Sequence, residues 1–546
     1  MSAGPPTAVP LDVTIHDLQV GSMRLARVEG RKLTLVRTSD GVYALDHACP
    51  HEGYGLTQGT LDGNLLTCAW HNWKFRVDDG ACMLGEEDVR SHDVTVGTDG
   101  SLTLMINEPD AAVLRPRLLA SLRRAIEHDY VGQVSRDVVR LLRADANPGE
   151  MIWEAVAHGA PRAEFGWGHS VASATDCLAM VDLYDGDQRT LPIVQGIVGI
   201  SETERHRPVN TLPDPVMNLG TDAAREFRGF VETEQLEPAQ ALLRGAIHAG
   251  LGADELRPWL TGVVSDHLLS YGHAAIYTQK AFQLLDELGW EHADTVLPHL
   301  LPTIVYGTRM DTLPYMRPFV KALAGVDLDE LVEIEPDPSW RDDGTLAASL
   351  LGHRREGPLA AVVAAVRDGA GVDGLLDVVV DTVADRMLRY DPSGEFDYHD
   401  DFGWLDITHG ITYAHAARWH AAHHRHPDTV RLALWCAFLA HWTGRHEWHT
   451  EVAEPEVIDL GTDDLVAAGE ALQRQSLDDA MTSFIVHAHG IKTSRAAALE
   501  AVASGSPKPL QAASRFLGAP KLERFVAANV TRSIDFVSGR SHRAEN

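Results

Sequence analysis

The chain has 546 residues, of which 45% are hydrophobic and 23% charged, a composition typical of a folded globular protein and not of a disordered one. Its 78 acidic residues outnumber 47 basic ones, and the formal net charge of −31 argues against nucleic acid or an anionic membrane surface as the main partner. Five cysteines, an odd number in so long a chain, argue against a disulfide framework. The first residues lack the features of a secretion signal, and no apolar run is long enough to span a bilayer. We therefore expect a cytoplasmic protein.

Residues 1–107 have the pattern of a small all-β domain. Short runs such as KLTLVRT, GVYALD and SLTLMI alternate apolar and polar residues, as strands with one buried face do. Asp-Gly pairs at residues 40–41, 79–80 and 99–100 predict turns between these runs. Several short strands at close spacing favour a small antiparallel barrel or sandwich.

Two cysteines and two histidines in this region form a paired motif. One residue separates Cys49 from His51, and two residues separate Cys68 from His71. Each of two neighbouring loops therefore offers one thiolate and one imidazole, which predicts a metal centre with mixed ligands. A zinc site with the same ligand types is the alternative.

The flanking segments CPHEGYGLTQG and CAWHNWKFRVDDG resemble the Rieske [2Fe–2S] family. The resemblance implies that Cys49 and Cys68 bind one iron of a [2Fe–2S] cluster, whereas His51 and His71 bind the other. High-potential members of the family carry a bracing disulfide and hydroxyl donors to the cluster sulfurs. The matching positions here are occupied by Tyr54, Trp70, Trp73 and Phe75. Fewer donors leave the reduced cluster less stabilised, so the expected reduction potential is near the low end of the Rieske range, about −150 mV.

From residue 112 to residue 546 the pattern changes to that of a large all-α domain. Segments such as AAVLRPRLLASLRRAIEH, AAIYTQKAFQLLDELG and TVRLALWCAFLAHW follow the 3.6-residue period of helices. Clusters of Pro and Gly punctuate the helices, but no clear point divides the region. The sequence therefore predicts a multidomain chain, with a β domain at 1–107 followed by a His-rich catalytic domain at 112–546.

Four histidines lie on predicted helices in the segments GHSVAS, YGHAAIY, THGITYAHA and HAHGIK, namely His169, His273, His409 and His489. One histidine on a helix is more often an ordinary core or surface residue than a ligand, so the metal-site interpretation depends on the four taken together. Lys492 shares a helix face with His489. Since 40 of the 47 basic residues are arginine, a retained lysine indicates a role that the permanently charged arginine cannot fill.

These four segments resemble the questin-oxidase-like family of helical non-haem-iron proteins, which oxidise and cleave polyketide-derived aromatic rings. The resemblance implies an iron site built from the four histidines, with Lys492 nearby as a possible carbamate ligand. The family does not ordinarily carry an N-terminal Rieske domain. The expected metal ligands are His169, His273, His409, His489 and Lys492, and the expected catalytic residues are Lys492, His489 and Tyr277.

The two regions together predict an O₂-dependent mono- or dioxygenase in which the [2Fe–2S] cluster passes electrons to a histidine-ligated non-haem iron. An aromatic or polyketide-like substrate is expected, and the lack of a G-x-G-x-x-G motif after a strand implies an external reductase. A homo-oligomer is a further expectation, because Rieske oxygenases often pass electrons between subunits. Two alternatives stay open. One is a redox-responsive binding or electron-transfer protein without oxygenase chemistry. The other is a divergent ring-hydroxylating oxygenase, whose iron site would fall near Asp406, His409 and His415.

Overall fold

A computed structural model describes residues 7–85, 87–106, 111–354, 357–396, 402–447, 452–478, 483–521 and 526–538. The chain divides into two compact units, Met1–Glu154 and Ala155–Asn546. The division expected between residues 107 and 112 falls largely on residues outside the described ranges and stays a prediction.

The first unit contains two antiparallel sheets. The strands are β1 (Thr7–Thr14), β2 (Ser22–Val28), β3 (Arg31–Arg37), β4 (Val42–Asp46), β5 (Thr60–Asp62), β6 (Leu65–Thr67), β7 (Lys74–Arg76), β8 (Cys82–Leu84), β9 (Ser91–Val96) and β10 (Ser101–Ile106). One sheet has the order β1-β10-β9-β4-β3-β2 and the other β5-β6-β7-β8. The small sheet is thus an insertion between β4 and β9, and the paired motif lies in the loop before β5 and in the loop between β6 and β7.

Two apolar clusters form the core of the sheets. Leu33 and Leu35 lie on one face of β3 and belong to the first cluster, whereas Val36 lies on the opposite face and belongs to the second. The second cluster contains Leu66 and Phe75 of the small sheet together with the motif residues Cys49 and Cys68. The backbone of both motif loops is therefore anchored by burial of their cysteines.

Beyond residue 110, the described residues contain helices, loops and isolated β-bridges only. The confirmed fold is thus a small β domain followed by a large helical region, as predicted. Within the described residues, no helix is long and apolar enough to cross a membrane. The α-helices are α1 (Ala111–His128), α2 (Val131–Arg143), α3 (Pro148–Gly159), α4 (His169–Ala179), α5 (Thr190–Glu204), α6 (Ala223–Glu232), α7 (Leu236–His248), α8 (Ala253–Ser265), α9 (His273–Leu288), α10 (Ala293–Val305), α11 (Arg317–Leu323), α12 (Leu328–Glu333), α13 (Thr345–Leu350), α14 (Leu359–Ala365), α15 (Gly371–Arg389), α16 (Trp404–His423), α17 (Pro427–Trp442), α18 (Leu465–Ser476), α19 (Phe484–Ser504), α20 (Lys508–Gly518) and α21 (Val526–Val537).

Helices α1 and α2 belong to the same compact unit as the strands. The buried carboxylate of Glu87, which follows β8, binds Arg136 of α2 at 2.8 Å and also pairs with Arg140. A buried carboxylate requires such partners. This ion-pair network is one physical reason why the first unit extends past the last strand.

Four helices of the second unit form a closed ring: α4 and α16 each pack against both α9 and α19. Helices α16 and α19 are buried on most sides, which fits their many alanines and glycines. Glu500 of α19 ties these two helices together through His415 Nδ1 and Arg418 Nη2 of α16, both at 2.9 Å.

We expect the substitution Glu500→Ala to lower the free energy of unfolding by about 1–3 kcal/mol, because Arg418 would lose a buried partner while keeping Asp377 at 2.7 Å and Asp373 at 2.9 Å. Glu500 is only 1% exposed. Urea unfolding followed by circular dichroism measures the change. The matched control is Glu470→Ala, which breaks an exposed pair with Arg474 one turn away and should cost less than about 0.5 kcal/mol. Equal effects of the two substitutions would contradict the assignment.

The buried His420 of α16 predicts a pH dependence of stability. Burial lowers the pKa of His420 to about 4, and its ring contacts the Thr261 hydroxyl at 2.8 Å and the Ala275 carbonyl at 3.2 Å. Below about pH 6.5 the unfolded chain gains a proton that the native imidazole refuses, so stability should fall as the pH drops from 6.5 to 4, by about 3 kcal/mol. Unfolding free energies of the native protein and of His420→Gln, measured across this range, should converge at low pH. Parallel curves would refute the prediction.

Candidate functional site

The four residues of the paired motif lie on two loops of the same form. In each loop the cysteine N–H donates to the carbonyl five residues further on, at 2.8 Å in both cases. The fourth residue after each cysteine is left-handed, with φ of 77° at Gly53 and 61° at Asn72. Glycine and asparagine are the residues that adopt this conformation at least cost. The repeated form explains how two sequence-distant loops offer the same pair of ligand types.

The donor atoms of the two loops meet in like pairs. His51 Nδ1 lies 2.9 Å from His71 Nδ1, and the thiols of Cys49 and Cys68 hydrogen-bond to each other. The two cysteines are 4% and 3% exposed, and burial, followed by the neighbouring cysteines, raises the pKa of Cys49 to about 12. Two sulfur and two nitrogen donors arranged in this way fit a [2Fe–2S] cluster with thiolates on one iron and imidazoles on the other.

Aromatic rings surround the two motif loops. Trp73 stacks on His51 with ring centroids 4.8 Å apart, and Tyr54 of the first loop stacks on Trp70 of the second at 4.3 Å. All five cysteines are free of disulfide bonds. A ring stack therefore joins the loops at the positions where the resemblance places a disulfide in high-potential proteins.

Known proteins match this part of the chain. The family model of the Rieske [2Fe-2S] domain matches residues 10–94. Cholesterol 7-desaturase nvd from Hemicentrotus pulcherrimus is 36% identical over 77 residues, which is 14% of this chain and 16% of that protein. Ferredoxin CarAc from Metapseudomonas resinovorans is 37% identical over 65 residues, which is 12% of this chain and 61% of that protein. The solved ferredoxin of carbazole 1,9a-dioxygenase from Nocardioides aromaticivorans is 27% identical and covers 18% of this chain and 97% of its own, with a TM-score of 0.17.

The N-terminal β region is a Rieske [2Fe–2S] domain. The family match, together with the two sulfur and two nitrogen donors on paired loops, confirms this prediction. The chain spans 16% of the length of the desaturase, so the similarity concerns this domain and not the whole of that protein. The assignment of individual ligands to Cys49, His51, Cys68 and His71 is a proposal based on the loop geometry.

In the second unit, the four histidines predicted from short sequence segments come together from four helices. His273 Nε2 lies 2.9 Å from His409 Nε2, which in turn lies 3.3 Å from His489 Nε2. His169, His273 and His489 each offer a ring nitrogen within 4.8 Å of the others, a spacing that can hold a metal ion. His169 and His273 are the first residues of α4 and α9, whereas His409 and His489 lie inside α16 and α19.

Backbone carbonyls orient these rings. His489 Nδ1 donates to the Ile485 carbonyl at 2.7 Å, and His409 Nδ1 donates to the carbonyl of Leu405. An imidazole that donates from Nδ1 presents the lone pair of Nε2 when it is neutral. The lone pairs of His409 and His489 therefore face each other, an arrangement that a bound cation stabilises and that resembles the outer hydrogen bonds of metal-ligating histidines.

Burial, and after it the charge of Lys492, keeps the four imidazole rings neutral. Burial lowers the pKa of His409 to about 3, with the charge of Lys492 as the next cause. Burial also holds the pKa of His169, His273 and His489 well below the usual value. Neutral imidazole is the form that binds metal ions.

Lys492 and Tyr277 both contact His169. Lys492 Nζ lies 2.7 Å and the Tyr277 hydroxyl 3.2 Å from His169 Nδ1. Burial lowers the pKa of Lys492 to about 7, so an uncharged amine is available near neutral pH, a state that arginine does not reach. Beneath this layer, Lys280 Nζ and Asp176 Oδ1 form a buried ion pair of 2.7 Å.

The residues of the alternative ring-hydroxylase site do not come together. His415 pairs with Glu500, and Asp406 accepts a hydrogen bond from the Gly403 N–H, so the Asp406, His409 and His415 set does not converge. Among the aromatic residues near the four histidines in the sequence, Tyr271 contacts the cluster, with its ring centroid 5.6 Å from that of His409. Trp404 and Trp419 instead pack on Phe516 and Phe282.

Two features of the site were missed in the sequence. These are the orienting carbonyls of Leu405 and Ile485 and the pairing of Asp176 with Lys280. The carbonyls could have been anticipated, because a helix places the carbonyl of residue i−4 near the side chain of residue i. The Asp176–Lys280 pair joins two helices, and the spacing of residues along either helix does not reveal it.

Cys68→Ser should abolish the visible absorption and the reduced-state EPR signal of the cluster, because one thiolate ligand is lost. The far-ultraviolet circular dichroism spectrum should still show the native helix content, since Cys68 lies in the β domain and not in the helices α4–α20. The control is Cys82→Ser, which changes a cysteine outside the motif and should retain the cluster. A full cluster signal in Cys68→Ser would remove this cysteine from the ligand set.

Proposed function

We propose that the chain is a Rieske-dependent non-haem-iron oxygenase acting on an aromatic or polyketide-like substrate. The observation that carries the proposal is the convergence of four buried or half-buried histidines from four helices, in a chain that also contains a Rieske domain. A Rieske cluster transfers single electrons, so its presence favours a second centre in the same chain that accepts them. The relatives named as a desaturase and as a ferredoxin support a role in redox chemistry.

In this proposal, Cys49, His51, Cys68 and His71 hold the cluster, and the helical histidines with Lys492 hold the iron. Bound there, the cluster would supply single electrons and the iron would supply O₂ activation. The chain's own residues do the rest. The carbonyls of Leu405 and Ile485 fix the tautomers of two ligands, and the Tyr277 hydroxyl holds a proton beside His169 Nδ1.

The direction from which a substrate reaches the site follows from unequal burial. His409 and His489 are buried, whereas His169 and His273 are half-buried. The accessible side of the site is therefore formed by the first turns of α4 and α9. Tyr277 is itself buried, with its ring centroid 5.3 Å from that of His273, so it lines the apolar interior behind the two half-buried rings. An external reductase would supply the electrons.

The substitution His409→Ala tests the proposal. Anaerobically reconstituted native protein should contain more iron than the two atoms of the cluster, and His409→Ala should lose the excess while the cluster absorption stays intact. O₂ consumption with a reductase and an aromatic substrate should be lost with it. The control on the same helix is His423→Ala, an exposed residue that should retain all three properties. Iron that remains at two atoms per native chain would overturn the proposal and favour a redox-responsive binding protein.

A further inference from the structure

The three residues before His273 share a rare backbone conformation. Ser270, Tyr271 and Gly272 have φ of 45°, 58° and 89°, so all three are left-handed. Glycine adopts this region freely, but serine and tyrosine do so only at an energetic cost that the surroundings must offset. Because α9 begins at His273, this turn sets the backbone position of a candidate metal ligand.

Neighbouring segments hold the turn in this shape. The Ser270 N–H donates to the Thr308 carbonyl, and the Thr308 N–H donates back to Ser270 Oγ, both at 2.9 Å. A Cβ atom at Gly272 would clash with the ring of Tyr413, so the turn also packs tightly against α16. Contacts on two sides therefore determine a conformation that the sequence alone disfavours.

The Tyr271 side chain links the turn to α16. Its hydroxyl faces the carboxylate of Asp406, which accepts a hydrogen bond from the Gly403 N–H at 3.0 Å at the start of the helix. Asp406 lies three residues before His409 and hence on nearly the same face of α16. The ring centroid of Tyr271 is 5.6 Å from that of His409. One side chain thus connects the elements that carry the two closest histidines.

We propose that Tyr271 is a positioning residue for the helical metal site, and that its contacts with His409 and Asp406 fix the distance between His273 and His409. The inference rests on the proposed metal site and adds a residue that does not itself coordinate. His273 follows the strained turn by one residue and His409 follows Asp406 by less than one helical turn. A contact between Tyr271 and Asp406 therefore constrains both ligands without touching either donor atom.

The test measures metal binding, with Co²⁺ as the probe, on the full-length chain with an oxidised cluster. The helical site is first emptied with a chelator, and Co²⁺ is then titrated by equilibrium dialysis and followed by EPR, in which the oxidised cluster is silent. Tyr271→Phe keeps the ring and removes the hydroxyl. We expect its Co²⁺ dissociation constant to rise about 10- to 100-fold, with an altered Co²⁺ EPR spectrum. Tyr306→Phe removes an exposed tyrosine hydroxyl and should match the native protein.

A double substitution separates positioning from general stability. If the contact between the Tyr271 hydroxyl and Asp406 is the operative one, Tyr271→Phe should have no further effect on Co²⁺ affinity in an Asp406→Ala background. Additive effects of the two substitutions, or a Tyr271→Phe protein with native affinity and spectrum, would overturn the inference and leave the metal site standing. A native protein that binds no Co²⁺ would instead overturn the proposed function, and the inference with it.

Discussion

The candidate site of the helical unit depends on the burial of four imidazole rings, which disfavours their charged form. Burial lowers the pKa of all four, and their nitrogen atoms approach to 2.9 and 3.3 Å. Because His409 and His489 both donate from Nδ1, their Nε2 lone pairs face each other, which costs free energy unless a cation lies between them. The ring of α4, α9, α16 and α19 has to supply the packing that holds this arrangement. Two ion pairs between these helices contribute to the packing. Glu500 of α19 pairs with Arg418 of α16, and Asp176 of α4 pairs with Lys280 of α9.

The two candidate centres use the same device in different folds. In the β domain, two hydrogen-bonded loops bring His51 and His71 to 2.9 Å. In the helical unit, a helix start and a helix interior bring His273 and His409 to the same separation. Loops provide a compact centre from ligands near in sequence, whereas helices gather ligands that are 320 residues apart, from His169 to His489. The first kind of centre can be read from spacing and the second only from several separate segments.

This difference explains what the sequence could predict. Cys49 and His51 share one short loop, so local spacing was enough to identify the Rieske domain, and alternation and turn residues predicted its strands. The helical character of the remainder followed from the 3.6-residue period. The turn before His273 could not be predicted, because Ser270 and Tyr271 are left-handed only through contacts with residues near 308 and with α16.

The charges beneath the helical site limit what can bind there. Asp176 contacts Lys280 at 2.7 Å and Arg495 at 3.6 Å, so this carboxylate is already matched by two cations. The metal-binding group found among the described residues of this unit consists of histidines alone. A divalent ion would therefore add positive charge to a buried region without a carboxylate ligand to offset it. Such a site favours a further anionic ligand, and two are chemically at hand. In the proposed oxygenase, one would be a carbamate on Lys492, whose amine is partly uncharged near neutral pH. The other would be the phenolate of an aromatic substrate. Because no fixed carboxylate among the described residues of the site offsets the metal charge, the proposed site would couple the binding of the metal to the binding of CO₂ or of substrate.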